Sequence, residues 1–166
     1  MEQCILATDM SRHMDDLNNL KEITENMTSG EEILTPDLTK EERERRRTKC
    51  LELCVHASDI SFLARPFGAQ KLQAYKLFEE FFHQGDIEAD TGLKISFLCD
   101  RAATNVAKSQ SGFMKFGPLP LFKIIGILCP SKAYIEHRLE ASGKQWDAYA
   151  EQESVDDKQI YIRTEG

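Results

Sequence analysis

Apolar residues recur at helical spacing through most of the chain. Leu6, Met10, Met14 or His13, Leu17 and Leu20 or Lys21 mark one face of an amphipathic helix over residues 3–22. The period is lost between Glu25 and Pro36, where turn formers collect, and this stretch reads as a loop. Thr39 and Glu42 have the form of a capping box, which predicts a second helix from Lys40 to Ser58 or Asp59. A linker, Ile60 to Gly68, is closed by Pro66. Gln70 to Gln84 predicts a third helix with Leu77, Phe78, Phe81 and Phe82 inward, and Gly85 suits a left-handed C-terminal cap. Asp86 to Leu98 reads as a short acidic helix and a break. The period returns from Arg101 to Phe116 through Ala103, Val106, Ala107, Gln110 and Phe113. Pro118 and Pro120 interrupt it before a buried run from Leu121 to Leu128, and Ser131 starts a last helix that reaches Tyr149 with a bend near Gly143. No strand alternation of useful length and no internal repeat is present. The pattern predicts an all-α fold, a compact multi-helix bundle over residues 1–150, followed by an acidic tail over 151–166.

The second helix carries one discordant residue. Leu51, Cys54, Val55 and Ser58 recur at steps of three and four, and Asp59 falls four residues after Val55 on the same stripe. On that reading the carboxylate points inward. An ionised Asp buried without a partner is expensive, so a cation, a metal or a hydrogen-bond cage is implied. The alternative is that the helix ends near Ser58 and Asp59 faces water. Gln110 is a second such residue, an amide within an apolar face that is either an ordinary half-buried side chain or a recognition group. Thr8 and Asp9 read as a solvated flank of the first stripe. Of Glu79 and Glu80, set among aromatics, at least one needs a cation.

Composition narrows the classes. The 166 residues are 41% hydrophobic and 30% charged, ordinary for one globular domain or a large piece of one. No run approaches the roughly 18 apolar residues of a membrane span, and the N-terminus lacks the basic region of a signal peptide, which makes the cytoplasm the expected location. A net charge of −7 argues against nucleic acid as a partner. Arg43, Arg45, Arg46 and Arg47 form a basic cluster, but Glu41, Glu42 and Glu44 interleave with it, the mark of a solvated face. Cys4, Cys50, Cys54, Cys99 and Cys129 form no C-x-x-C pair and read as reduced, mostly buried thiols.

Five blocks then carry a family likeness: Leu6-Ala-Thr-Asp-Met-Ser-Arg-His13, Val55-His-Ala-Ser-Asp-Ile-Ser61, Glu79-Glu-Phe-Phe-His-Gln-Gly-Asp86, Ile95-Ser-Phe-Leu-Cys-Asp100 and Lys108-Ser-Gln-Ser-Gly-Phe113. In order and spacing they resemble the C-terminal half of class I 3′,5′-cyclic nucleotide phosphodiesterase catalytic domains, over about residues 3–150. The resemblance implies hydrolysis of cAMP, cGMP or both to the 5′-monophosphate in signal transduction. It implies two divalent metals, zinc plus magnesium or manganese, that activate a bridging water. Asp59 matches a metal ligand, and Thr8 and Asp9 match positions beside metal-bound waters. Gln110 resembles the glutamine that meets the purine edge, and Phe113 the aromatic on which the purine stacks. Leu77 matches the opposite wall, Phe81 lies behind it, and Met10 and Leu98 match pocket-lining residues. His56 is not carried over as a ligand and reads as a helix-flank histidine.

The departures are informative. The family's H-N-x-x-H and H-D-x-x-H motifs do not occur; the histidines are His13, His56, His83 and His137. The histidine that protonates the leaving O3′ belongs to the same missing part, so no residue here is expected to act as the general acid. Phe62 stands where members carry a small or polar residue, and Gln70 and Gln73 replace aromatics. The chain reads as the purine-pocket half of the domain, inactive alone. The competing reading is a non-catalytic helical module that pairs with a full-length subunit, with a homo-oligomer left open.

Overall fold

The computed structural model describes residues 2–25 and 35–152. Most of the expected loop before Pro36 and of the acidic tail lies outside the described residues. The helices are α1 (Glu2–Leu6), α2 (His13–Thr24), α3 (Lys40–Asp59), α4 (Phe67–Asp90), α5 (Val106–Phe116), α6 (Pro118–Leu128) and α7 (Tyr134–Ala150). No strand occurs among the described residues. The chain divides into two compact units, Met1–Ala64 with Lys115–Glu140 and Arg65–Met114 with Ala141–Gly166.

In the first unit, α2 and α3 both pack on α6, and α1 packs on α3. Leu17, Leu20, Leu53, Ala57, Leu121, Phe122 and Ile124 are buried there. The helix expected over residues 3–22 is broken by Thr8 and Asp9. Thr8 Oγ1 donates to the Ile5 carbonyl at 2.8 Å, and Asp9 Oδ1 accepts from the Ser11 amide at 2.9 Å, opening a 3-10 turn over Met10–Arg12. Short polar side chains that bond their own backbone compete with the helix in this way. The break turns His13 inward and leaves Leu6, Met10 and Met14 exposed.

The capping box of α3 forms as expected. The Glu42 amide donates to Thr39 Oγ1 at 3.2 Å and the Thr39 amide donates to the Glu42 carboxylate at 3.0 Å. The Thr39 contacts hold the Glu42 carboxyl below its ordinary range. The inward stripe of α3, however, is Leu53, His56, Ala57 and Ile60, while Leu51, Cys54, Val55, Ser58 and Asp59 are exposed. At about 100° per residue, the Leu51–Val55 stripe lies on the opposite side of the helix from the buried one.

In the second unit, α4 begins after Pro66 and continues past Gly85 to Asp90, longer than expected. Gly85 is not a C-cap. A Cβ at this position would stand 2.0 Å from the Cys99 carbonyl oxygen, so glycine is needed for the Cys99 segment to approach the helix. The left-handed residue is Gly92 (φ 74°), just past the helix end. Arg101 clasps the intervening loop to α4. Its Nη2 lies 2.6 Å from Asp86 Oδ2 and 3.6 Å from Glu79 Oε1, and its guanidinium is 5.3 Å from the Phe82 ring. Glu79 is thus the expected cation-pinned acid. Helix α5 starts at Val106, five residues later than the pattern suggested, because Asp100 Oδ1 captures the Ala102 amide at 2.8 Å and Asn105 Oδ1 captures that of Lys108 at 2.6 Å. Helix α7 runs through Gly143 without the expected interruption.

Two compositional expectations need correction. Of the five thiols only Cys99 is buried; Cys4 and Cys50 are half-buried and Cys54 and Cys129 exposed, all unpaired. The run Val106–Leu128 is also, by length and composition alone, apolar enough to cross a membrane. Gly117 and Pro118 divide it into α5 and α6, with Pro118 at the first position of α6, where its missing N–H costs nothing.

Substituting Gly85→Ala should destabilise the protein by about 1–3 kcal/mol, because the methyl meets backbone rather than a flexible side chain and outweighs the helix-propensity gain of about 1 kcal/mol. Urea denaturation checks this, and a midpoint at or above that of the wild type would contradict the close approach.

Candidate functional site

Two glutamines are buried in the second unit, and their surroundings differ. Gln70, on α4, uses its whole amide: Nε2 donates to the Arg65 carbonyl and, at 2.8 Å, to Ser142 Oγ, while Oε1 accepts from Trp146 Nε1 at 3.1 Å. Phe67 stacks edge-on against Trp146, with ring centroids 5.0 Å apart. This glutamine ties α4 to α7. Gln110, on α5, is 3% exposed, yet its Oε1 has no hydrogen-bond partner. A buried carbonyl left unpaired costs about 1–3 kcal/mol, so it is either a defect or an acceptor held for something that binds.

Phe113 lies one turn beyond Gln110 on the same face of α5 and is half-buried. Leu77 and Phe81, four apart on α4, are half-buried too, and Phe81 packs against Phe78 with centroids 5.5 Å apart. Leu98 is half-buried with φ 67°, the one non-glycine residue with positive φ among those described. All five belong to the second unit. Gln73 is exposed, and Phe62, in the first unit, is half-buried.

The remaining expected residues belong to the first unit. Asp59 closes α3 and is exposed, so it does not point inward as the Leu51–Val55 stripe suggested. Met10 is 42% exposed, Thr8 half-buried and Asp9 exposed, the Ser11 amide holding the Asp9 carboxyl below its ordinary range. The pattern missed the histidine pair. His13 Nδ1 and His56 Nε2 lie 2.7 Å apart in the core, and the outer nitrogens, His13 Nε2 and His56 Nδ1, have no partner. One ring must donate and the other accept, which requires at least one of them to be neutral. His56 is therefore a core residue rather than a flank; its place on the Leu53, Ala57, Ile60 stripe was the available signal. Beside the pair is a cavity of about 20 Å³, also lined by Asp16, Lys49 and Glu52, large enough for about one water. Lys49 bridges Asp16 at 3.2 Å and Glu52 at 2.7 Å. Partial burial opposes its charge, but the hydrogen bonds and charges of Glu52 and Asp16 together outweigh that and raise its pKa above the ordinary value.

A family model described as 3′5′-cyclic nucleotide phosphodiesterase matches residues 1–138. The chain belongs to this phosphodiesterase family. Over 123 residues it is 37% identical to the bovine dual specificity calcium/calmodulin-dependent 3′,5′-cyclic nucleotide phosphodiesterase 1B, a match covering 74% of this chain and 20% of that one. It is 36% identical over 121 residues to the 3′,5′-cyclic-AMP phosphodiesterase 4C of Rattus norvegicus, covering 72% of this chain and 22% of the relative. The crystal structure of the phosphodiesterase domain of Salpingoeca rosetta rhodopsin phosphodiesterase superposes with a TM-score of 0.72 at 25% identity, covering 90% of this chain and 44% of that one. The chain thus spans about a fifth of the length of these curated relatives.

Among the described residues no group of three or more His, Cys, Asp or Glu side chains could hold a metal ion. The metals implied by the resemblance do not fit these residues alone, with Asp59 exposed and His13 and His56 committed to each other.

The two glutamines should separate on substitution. Gln70→Leu strands the Trp146 N–H and should cost about 2–3 kcal/mol, whereas Gln110→Leu removes an unpaired carbonyl and should stay within about 1 kcal/mol of the wild type, both read by urea denaturation. Stability should also fall with pH. Burial first, then the charge of His13, lowers the His56 pKa against weaker opposing effects of Asp59 and Asp16. Below the unfolded value near 6.5 the unfolded chain takes up a proton that the folded chain resists. Stability is then complete above about pH 6.5 and declines as pH falls toward the folded value. A His56→Gln variant should show a flatter profile between pH 7.5 and 5.5.

Proposed function

We propose that the chain supplies the nucleobase-binding part of a phosphodiesterase that hydrolyses 3′,5′-cyclic nucleotides. The observation that carries this reading is the unpartnered Oε1 of buried Gln110 in a chain of this family. An amide both accepts and donates, so Gln110 can meet the edge of a purine, and its orientation bears on the choice between adenine and guanine. Phe113, one turn away, is suited to stack on the base, with Leu77 as the opposite wall, Phe81 behind it and Leu98 at the margin. The relatives' names agree on cyclic nucleotides as a class.

In this reading Asp59 would be a metal ligand, and Thr8 and Asp9 would stand beside metal-bound water. Zinc, with magnesium or manganese, and the acid that protonates the leaving oxygen would be held with residues of the remainder of the domain. When bound, the metals supply an activated water and a clamp on the phosphate. Exposure of Asp59 agrees with a carboxylate whose partners lie elsewhere. Met10, on the exposed 3-10 turn, gains no role from the geometry.

Two measurements test this. Residues 1–166 should bind cAMP or cGMP in calorimetry, and Gln110→Leu should weaken binding tenfold or more, about 1.4 kcal/mol, without loss of stability. The same chain should show no turnover with zinc and magnesium. Unchanged affinity in the variant would remove Gln110 from the pocket, and metal-dependent turnover by this chain alone would overturn the need for further ligands.

A further inference from the structure

Helix α7 supplies none of the nucleobase contacts proposed above, yet its part within the second unit is tied to both helices that do. Ser142, Trp146 and Tyr149, spaced i, i+4 and i+7, meet α4. Ser142 Oγ accepts from Gln70, Trp146 Nε1 donates to Gln70, and Lys71 Nζ lies 3.6 Å from the centre of the Tyr149 ring. The neighbouring row, Gly143 and Asp147, meets α5. A Cβ at Gly143 would stand 3.6 Å from Met114 Cγ, and Asp147 Oδ1 accepts a hydrogen bond from Ser111 Oγ. Ser111 is buried and Asp147 exposed. The contact at Met114 is apolar and has no preferred direction, whereas the hydrogen bond has one. The bond is made by the residue next to Gln110. Successive side chains of a helix point about 100° apart, so the angle at which α5 presents Ser111 to α7 also sets where Gln110 and Phe113 point. The Gln110 carbonyl, without a partner of its own, adds nothing to holding that angle.

We propose that Asp147, acting through Ser111, is a positioning residue for nucleobase binding: it holds the rotation of α5 and with it the aim of Gln110 and Phe113. The inference rests on the nucleobase reading above. Helix α7 is in this view the common support of the slot. It grips α4, which carries Leu77 and Phe81, through Gln70, and α5, which carries Gln110 and Phe113, through Ser111. Recognition groups need such support, because an amide that meets a base edge must be held to within a fraction of an ångström and a few tens of degrees.

The test is calorimetric titration of the 166-residue chain with cAMP and with cGMP. For a nucleotide that the wild type binds, Asp147→Ala and Ser111→Ala should each weaken affinity about fivefold, and the double variant no more than either alone, because all three remove one bond. Asp147→Asn keeps an acceptor oxygen and should return affinity to within about twofold of the wild type. In a Gln110→Leu background Asp147→Ala should add less than about twofold, whereas a general loosening of the fold would weaken binding there as well. Asp147 is exposed, so far-UV circular dichroism of its variants should match the wild type. If Asp147→Ala does not fold, Ser111→Ala, which removes only a hydroxyl, decides alone. Unchanged affinity in the single variants overturns the proposal, as does an Asp147→Asn that binds no better than Asp147→Ala, or a loss in the Gln110→Leu background as large as in the wild type. Binding that depends on Gln110 but not on Asp147 leaves the nucleobase reading standing and removes this one. A wild type that binds neither nucleotide, or a Gln110→Leu that binds as well as the wild type, removes both.

Discussion

The first unit is organised by the burial of one side of α3. Leu53, His56, Ala57 and Ile60 face inward, α1 and α6 pack against the helix, and His56 reaches His13 of α2 through a buried hydrogen bond. That bond constrains the chemistry of the core, because two protonated imidazoles could not share it. Desolvation, and after it His13, lowers the His56 pKa and so favours the neutral ring. Once this side is committed, the geometry of the helix sends Leu51 and Val55 the other way. Their exposure follows from a register in which the histidine, not the aspartate, is the polar residue placed in the core.

The second unit repeats the lesson with glutamines. Gln70 shows what a satisfied buried amide looks like: three partners, one of them the indole N–H of Trp146. Against that standard the unpaired carbonyl of Gln110 stands out, although both side chains are almost fully buried. Burial alone did not distinguish them. Partner accounting did, and it separates a structural glutamine from a recognition candidate without appeal to resemblance.

Much of the architecture was legible because it depends on local rules. The capping box at Thr39 and the all-helical class were read from residue types at fixed offsets, whereas α6 starts at Pro118, three residues before the run expected from Leu121. What failed was the choice between two apolar stripes on α3, since Leu51–Val55 and Leu53–Ala57 have the same spacing and differ only in tertiary context. Gly85 failed for a related reason. A glycine at a predicted helix end looks like a cap, and only the approach of Cys99 identifies it as a clearance residue. The break at Thr8 and Asp9 was hidden because a short polar pair beside an apolar stripe also suits a solvated flank. The Gln110–Phe113 spacing was legible, but whether the amide was satisfied depends on neighbours that no spacing specifies.

The remaining departures from local rules cluster on few residues. Gln110 keeps an unpaired acceptor, Leu98 holds a left-handed backbone that leucine rarely adopts, and α3 leaves apolar side chains in water. The first two lower the stability of the isolated chain, while the exposed side chains gain nothing from its folding. Costs of this kind persist where a ligand or partner makes use of them. For Gln110 and Leu98 the proposed user is a nucleobase.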